Sequence, residues 1–396
     1  MRISTTTFQS NAVSQMDALQ AAMQQTQQQL STGLKLQSAA DDPIGMAKVN
    51  QMNVEISAST QYVTNSNTAQ INLQLEEQAL TDASNVMQNA NTLAVEANNS
   101  ALSAANRHDI ATQLQQDLQS LVSIANSTDG NGNYLFGGYA NTATPFTQSG
   151  GTVSYNGSTQ VTQVQISSSQ SISSGDSGVV SFMSIPTGNG TFATSAASTN
   201  TGSASIGGGS VTDPTAYVSG TYTIAFTDPT DYQVTDSGGN VVSSGTYQSG
   251  DSISFNGTQV SLSGTPAAGD QFTVAPAGTT SAFSALSNLI ATLNSTSLNP
   301  GQLATQINSA VQQIQNSITN FSNVSASVGA RLNAITAAQS SATTTQTNLK
   351  TNVGTIQNTD YTAATTQLSS EELALQAAQE SYASLEKLSL FNYIQG

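Results

Sequence analysis

The apolar residues at the two ends of the chain recur at alternating spacings of three and four, and this periodicity constrains the fold more than any other feature. The spacing lines apolar side chains along one narrow stripe of a helix, which is typical of a coiled-coil seam. The N-terminal seam residues are Ala12, Met16, Leu19, Met23 and Leu30. The C-terminal seam residues are Leu368, Leu375, Ala378, Tyr382 and Leu385, with Glu371 between the first two.

Neither seam is strongly apolar, because Ala, Thr, Ser and Gln supply much of both stretches. A buried Leu contributes about 1.5–3 kcal/mol, whereas ordering one residue costs about 1–2 kcal/mol. We therefore predict two assembly helices that fray in isolation and become helical against neighbouring helices. The same pattern also fits two ordinary core helices of one domain.

Two longer helical periodicities lie inside these ends. Asp42-Pro43 combines an N-cap residue with a proline at the first helical position, and the apolar spacing continues to Ala94. This predicts a helix of about fifty residues, about 75 Å long. A polar break is predicted over 98–109, and a second long periodicity begins at Pro300. We predict that the two long helices pair antiparallel as a rod, with both chain ends at one tip.

The segment between these helices has a different character. It holds 24 of the 30 glycines, from Gly130 to Gly278, and short alternating runs replace the helical period. This pattern predicts antiparallel strands separated by turns. Three early strands are predicted over 152–155, 160–166 and 178–183, and six more lie between 221 and 274. No Lys or Arg lies between Arg107 and Arg331, so we expect an acidic, exposed surface.

The predicted fold class is α+β, a long helical hairpin built from both chain ends with an antiparallel β insertion at its far tip. The predicted segments are an assembly helix at 1–35, the two halves of the rod at 36–140 and 281–357, the insertion at 141–280, and a second assembly helix at 358–396. Within the insertion, a Ser-, Thr- and Gly-rich spacer over 187–210 suggests two modules, at 141–190 and 211–280.

Charge and composition exclude several classes of function. The formal net charge of -16 repels phosphate backbones, so nucleic-acid binding is disfavoured. No run of 18 apolar residues predicts a membrane span, and the first residues lack the apolar core of a cleaved secretion signal. With no Cys, the chain has no disulfide, thiol nucleophile or thiolate metal site.

No residue pattern predicts an enzyme, a metal site or a cofactor. The segment 175–178 has the letters of a serine-protease nucleophile loop, but the single histidine, His108, has no matching context, so a turn is expected. Asp228, Asp231 and Asp236 fit turn chemistry better than a calcium loop. The pairs Glu76 with Glu77 and Glu371 with Glu372 are neighbours in sequence, and we expect them on solvated helix faces.

Several motifs resemble the bacterial flagellin family. The stretch from Leu30 to Lys35, followed by Ser38 to Ile44 with the sequence SAADDPI, resembles the family's first helix and the turn after it. The Asp-Asp-Pro-Ile form is similar to the family branch that joins hook to filament. Further matches of that style are 93–97, 133–139, 328–332, 360–364 and 388–394.

The resemblance implies a structural protein that crosses the flagellar type III export apparatus unfolded and polymerises outside the cell. It implies a ring of copies at the hook-filament junction, with the first hook-associated protein and flagellin as neighbours. It also implies an export chaperone bound to the C-terminal segment. We expect that contact at Leu375, Tyr382, Leu385, Leu388 and Phe391, as one face of a helix in a groove.

Two alternatives remain open at this point. A filament flagellin of the same family would share the helical ends. An adhesin-like or glycan-binding module on a helical stalk would instead use the β insertion.

Overall fold

The computed structural model describes the backbone of residues 5–99 and 101–394 and the side chains of residues 7–99 and 101–384. These residues form two compact units. Unit 1 comprises the described residues of 1–64 and 339–396, and unit 2 comprises those of 65–338. The fold is α+β, with antiparallel strands inserted between helices from both chain ends, as predicted.

The described residues of unit 1 are mostly helical. It contains α1 (Thr5–Thr32), the first part of α2 (Pro43–Ala97), the last part of α5 (Pro300–Gln357), and α6 (Tyr361–Ile394). The helix α1 packs against α6. The helix starts at Pro43 and Pro300 agree with the predicted starts of the two long helices.

Unit 2 contains the remaining parts of α2 and α5 with two shorter helices, α3 (Ala104–Ala125) and α4 (Ala282–Asn294). The Ser103 hydroxyl caps α3 by accepting the N–H of Asn106 at 3.1 Å. The predicted polar break over 98–109 is therefore too long, because this cap starts the helix at Ala104. The described helices of unit 2 share one core that includes Leu73, Leu80, Met87, Leu114 and Leu286.

The first strands of the insertion form two short hairpins and one pair between distant strands, and they join the helical core. Their bounds are β1 (Phe146–Ser149), β2 (Thr152–Tyr155), β3 (Gln163–Gln165), β4 (Ser171–Ser173) and β5 (Ile185–Pro186). The hairpins are β1-β2 and β3-β4, and β5 pairs with β15 (Thr279–Thr280). The buried residues Phe146, Val153 and Ile172 belong to the same cluster as the helices. The segment predicted as a first module thus shares its core with the helices.

The predicted strand over 178–183 is wrong. Val179–Met183 is a short π-helix. Its Phe182 is fully buried, with ring-centroid distances of 4.9 Å to Phe136, 5.6 Å to Phe146, 5.7 Å to Phe283 and 5.2 Å to Phe321. A strand would point neighbouring side chains to opposite faces, whereas this turn directs Phe182 into a cluster of four other phenylalanines.

The later strands have a separate core. The strands are β6 (Phe192–Ala196), β7 (Ser205–Ile206), β8 (Ser210–Val211), β9 (Tyr222–Phe226), β10 (Asp231–Asp236), β11 (Val241–Thr246), β12 (Ser252–Phe255), β13 (Thr258–Ser263) and β14 (Gln271–Pro276). One antiparallel sheet has the order β11-β10-β9-β14-β6, and a second has the order β12-β13-β7, with β8 also paired to β13. The core between them includes Ile224, Phe226, Val260, Leu262 and Phe272. Strands β6, β7 and β8 begin within the stretch 187–210 that was predicted as a spacer.

Candidate assembly surfaces

The predicted seam residues whose side chains the structure describes are buried or partly buried on α1 and α6, and these two helices pack against each other. On α1, Ala12, Met16, Leu19, Met23 and Leu30 are all partly buried. On α6, Leu375 is 9% exposed, and Leu368, Ala378 and Tyr382 are partly buried. The side chain of Leu385 lies outside the described residues. Each seam therefore finds a helical neighbour within its own chain.

Two polar residues are buried in this seam. Thr26 is 4% exposed, and its hydroxyl donates to the Ala22 carbonyl oxygen at 3.1 Å. Glu371 is 9% exposed, and its Oε1 accepts a hydrogen bond from the Gln367 side chain at 2.9 Å. Glu372 is exposed as expected, but the prediction of a solvated face is wrong for Glu371, because its side chain is buried.

The Asp41-Asp42-Pro43 motif forms the turn that leads into α2. The Asp41 carboxylate accepts the N–H groups of Gln37 at 3.1 Å and Ser38 at 2.8 Å, and these bonds lower the pKa of Asp41. The Asp42 carboxylate accepts the N–H of Ile44 at 3.0 Å and caps the helix. Both aspartates therefore have local structural roles.

Unit 1 also exposes large apolar side chains outside the seam. Ile44 is 71% exposed, Val54 is 70% exposed and Leu373 is 68% exposed. Phe8 and Val13 are about half exposed on α1. Apolar side chains on the outside of a helical unit are available to other helices.

The residues expected to contact a chaperone fall into two groups. Leu375 and Tyr382 lie in the seam with α1. The side chains of Leu385, Leu388 and Phe391 lie outside the described residues. A partner that covers Leu375 must therefore compete with α1 for the same face.

Unit 2 contains a cluster of ionisable side chains that was not predicted from the sequence. Glu76 on α2 is 1% exposed, so the prediction of a solvated face is wrong for this residue. Its Oε1 accepts the N–H of Asp176 at 3.2 Å, and the Asp176 carboxylate forms an ion pair with Arg331 on α5. Burial, and after it the negative charge of Asp176, raise the pKa of Glu76 to about 8 against the opposing effect of Arg331. The sequence spacing indicates the burial of Glu76, because this residue lies three residues after Leu73 and four before Leu80, both of which are buried.

The other residues considered for chemistry have structural partners. His108 is exposed in α3, with its Nδ1 2.8 Å from the Asn294 side-chain oxygen. Asp228 and Asp236 accept N–H groups of their own turns, at 2.8 Å from Thr230 and 2.9 Å from Gly238. No group of three potential metal-ligating side chains occurs among the described residues.

Family models match three parts of the chain. The bacterial flagellin N-terminal helical region matches residues 3–141, and the bacterial flagellin C-terminal helical region matches 311–394. The D2-like domain of flagellar hook-associated protein 1 matches 195–276, which is close to the module that begins at β6. The crystal structure of FlgL from Xanthomonas campestris superposes with a TM-score of 0.71 at 36% identity, covering 76% of this chain and 99% of that one. The chain belongs to the FlgL family.

Two further relatives support membership of the FlgL family. The flagellar junction protein FlgL from Legionella pneumophila superposes with a TM-score of 0.70 at 28% identity, covering 78% of this chain and 99% of that one. Flagellar hook-associated protein 3 from Salmonella typhimurium is 34% identical over 185 residues. That alignment covers 47% of this chain and 58% of the relative, so the chain spans little more than half of this curated relative.

These matches confirm the resemblance to the bacterial flagellin family that the sequence motifs indicated. They do not favour the adhesin-like alternative, since the matched proteins and models are flagellar. In the part of the chain that the structure describes, no helix is long and apolar enough to cross a membrane.

Proposed function

We propose that the chain is a structural subunit of the bacterial flagellum that forms the junction between hook and filament. The observation that carries the proposal is the antiparallel pair of α1 and α6, in which both chain ends pack as one unit. Membership of the FlgL family supports the junction role. The D2-like match to hook-associated protein 1 favours it over a filament flagellin.

Copies of the chain would associate through unit 1. Burying Ile44, Val54 or Leu373 against a neighbouring copy would add about 1.5–3 kcal/mol for each side chain. A ring built in this way would contact the first hook-associated protein on one side and flagellin on the other. Its position is extracellular, after passage through the flagellar type III export apparatus.

Before assembly, an export chaperone would bind the C-terminal segment through Leu375, Tyr382, Leu385, Leu388 and Phe391. Leu375 is buried in the seam of the folded chain. Chaperone binding and closure of α1 on α6 would therefore exclude each other, which would keep the exported chain from assembling early.

The test is to locate the protein on flagella. An epitope tag would be inserted in the exposed turn at Gly238-Gly239, and the tagged chain expressed in a flagellated host that lacks its own junction protein. Restored motility with label confined to a narrow band between hook and filament is the expected result. Label along the whole filament would support a filament flagellin instead. Export without incorporation would contradict both roles.

A further inference from the structure

A short chain segment in unit 2 is held between two helices by three ionisable side chains. The segment is 173–176, which follows directly from strand β4. On one side, the N–H of Asp176 donates to Glu76 on α2 at 3.2 Å. On the other side, Arg331 on α5 pairs with the Asp176 carboxylate and donates to the carbonyl oxygens of Ser173 at 3.4 Å and Gly175 at 3.3 Å. The segment thus joins α2 to α5.

Glu76 occupies a position where a charge is costly. It is 1% exposed, and its Oε2 accepts no hydrogen bond from any described residue. An ionised carboxylate that is buried without a full set of donors is strongly disfavoured relative to the neutral acid. Burial is the largest of the causes that raise the pKa of Glu76 to about 8. At neutral pH the side chain is therefore mostly protonated.

The described groups around Glu76 include no cation that pairs with Glu76 alone. Asp176 adds negative charge, and the Arg331 guanidinium is already paired with that aspartate. Across a cavity of about 60 Å³, Glu76 faces Asp129 and Tyr134. The Oδ1 of Asp129 accepts the N–H groups of Asn131 and Asn133, both at 2.8 Å. This cavity is large enough to hold water.

We propose that Glu76, Asp176 and Arg331 form a proton-dependent latch that holds segment 173–176 against α2 and α5 and releases it when Glu76 loses its proton. The O–H bond of Glu76 breaks, and the proton passes to hydroxide or a buffer base in the cavity. Two carboxylates then share one guanidinium in a buried site. The helices are held by their apolar core. The segment is held by the polar contacts described above and by Ser174, whose N–H and hydroxyl donate to the Thr162 carbonyl oxygen at 3.0 and 3.2 Å. Because the Ser174 bonds involve neither α2 nor α5, the segment can part from both helices and admit water. The latch adds a conformational control to unit 2 that the proposed junction role does not require.

Hydrogen exchange on the full-length chain tests the latch. The opening equilibrium constant of the amides in peptides that cover 171–178 would be measured between pH 6 and pH 9.5, after correction for the intrinsic exchange rate. We expect opening to increase about tenfold or more across this range, because each pH unit above the pKa changes the equilibrium about tenfold. In Glu76→Gln, whose side chain is neutral at every pH, the increase should be less than about twofold. Glu96→Gln makes the same change at an exposed site of α2 and should behave like the unmodified chain. Equal pH dependence in Glu76→Gln and the unmodified chain would overturn the proposal.

A second measurement keeps the test decisive if Glu76→Gln does not fold. The chain contains eight Glu residues, which can be labelled with ¹³C at the side-chain carboxyl. One carboxyl signal should titrate far above the others, and the amide signals of 173–176 should shift with the same midpoint. Normal titration of all eight carboxyls, or a high-pH titration without any change in those amides, would overturn the latch.

Discussion

The backbone N–H of Thr359 donates a hydrogen bond to the carbonyl oxygen of Gly33 at 2.9 Å. Beside it, the N–H of Lys35 donates to the carbonyl oxygen of Gln357 at 2.8 Å, and Leu34 pairs with Asn358 in an antiparallel bridge. These bonds join the end of α1 to the start of α6 across more than 300 residues of sequence. The seam between the two helices therefore begins from a defined register.

The first prediction concerns Gly33 in this bridge. Its φ is +73°, and a Cβ would lie 3.0 Å from the Tyr361 hydroxyl. We expect Gly33→Ala to lower the free energy of unfolding of unit 1 by about 1–2 kcal/mol, because a non-glycine residue is strained in the left-handed region. The control is Gly329→Ala, where no atom lies within 4 Å and the helical backbone favours alanine. Urea denaturation followed by circular dichroism compares the two, and equal effects would contradict the strain argument.

The second prediction compares two leucines on α6. Leu375→Ala should destabilise the α1–α6 pair by about 2–3 kcal/mol, since a buried leucine leaves a cavity. Leu373→Ala should leave the isolated chain nearly unchanged, because that side chain is 68% exposed. Limited proteolysis of both ends measures the difference. If Leu373→Ala opens the pair as much as Leu375→Ala, the seam has a different register.

The third prediction concerns a buried aspartate that organises the second β core. Asp270 is 2% exposed, and its carboxylate accepts the N–H groups of Thr201 at 2.8 Å, Gly202 at 3.1 Å and Ala267 at 2.8 Å. Asp270→Ala should destabilise the module by about 3 kcal/mol or more, because each buried N–H without a partner costs about 1–3 kcal/mol. Asp213→Ala is the control, since its turn is fully exposed and water can replace the carboxylate. Hydrogen exchange of β9 and β14 reports the loss, and comparable exchange in the two variants would argue against this role.

The fourth prediction is a pH dependence of unit 2. The pKa of Glu76 is about 8 in the folded chain and 4.5 in the absence of structure. The folded chain therefore binds this proton more tightly, and the resulting stability is complete below pH 4.5 and declines until pH 8. The free energy of unfolding should thus fall by a few kcal/mol over this window, at about 1.4 kcal/mol per pKa unit. Subtracting the profile of Glu76→Gln isolates the contribution, and a difference that is flat with pH would refute it.

Local chemistry in the sequence determined most elements of the fold. The spacing of three and four set the inward faces of α1 and α6, because a helix repeats every 3.6 residues. Pro43 and Pro300 marked helix starts, and alternation predicted β9 and β14. The two aspartates before Pro43 form a turn and a helix cap with residues that are close to them in sequence. Because the motif depends only on these neighbours, it indicated the family from the sequence alone.

Only the tertiary structure decided the features that depend on distant residues. Glu76 is buried against Asp176, which lies 100 residues later in the sequence. Asp176 pairs with Arg331, which lies a further 155 residues along the chain. Phe182 takes its conformation from four phenylalanines on other segments. Strands β6 to β8 have little apolar pattern of their own and are ordered by pairing with β13 and β14. Periodicity reports which face of a segment is apolar, whereas the free energy of a buried charge or an edge strand depends on the partner that the fold brings to it.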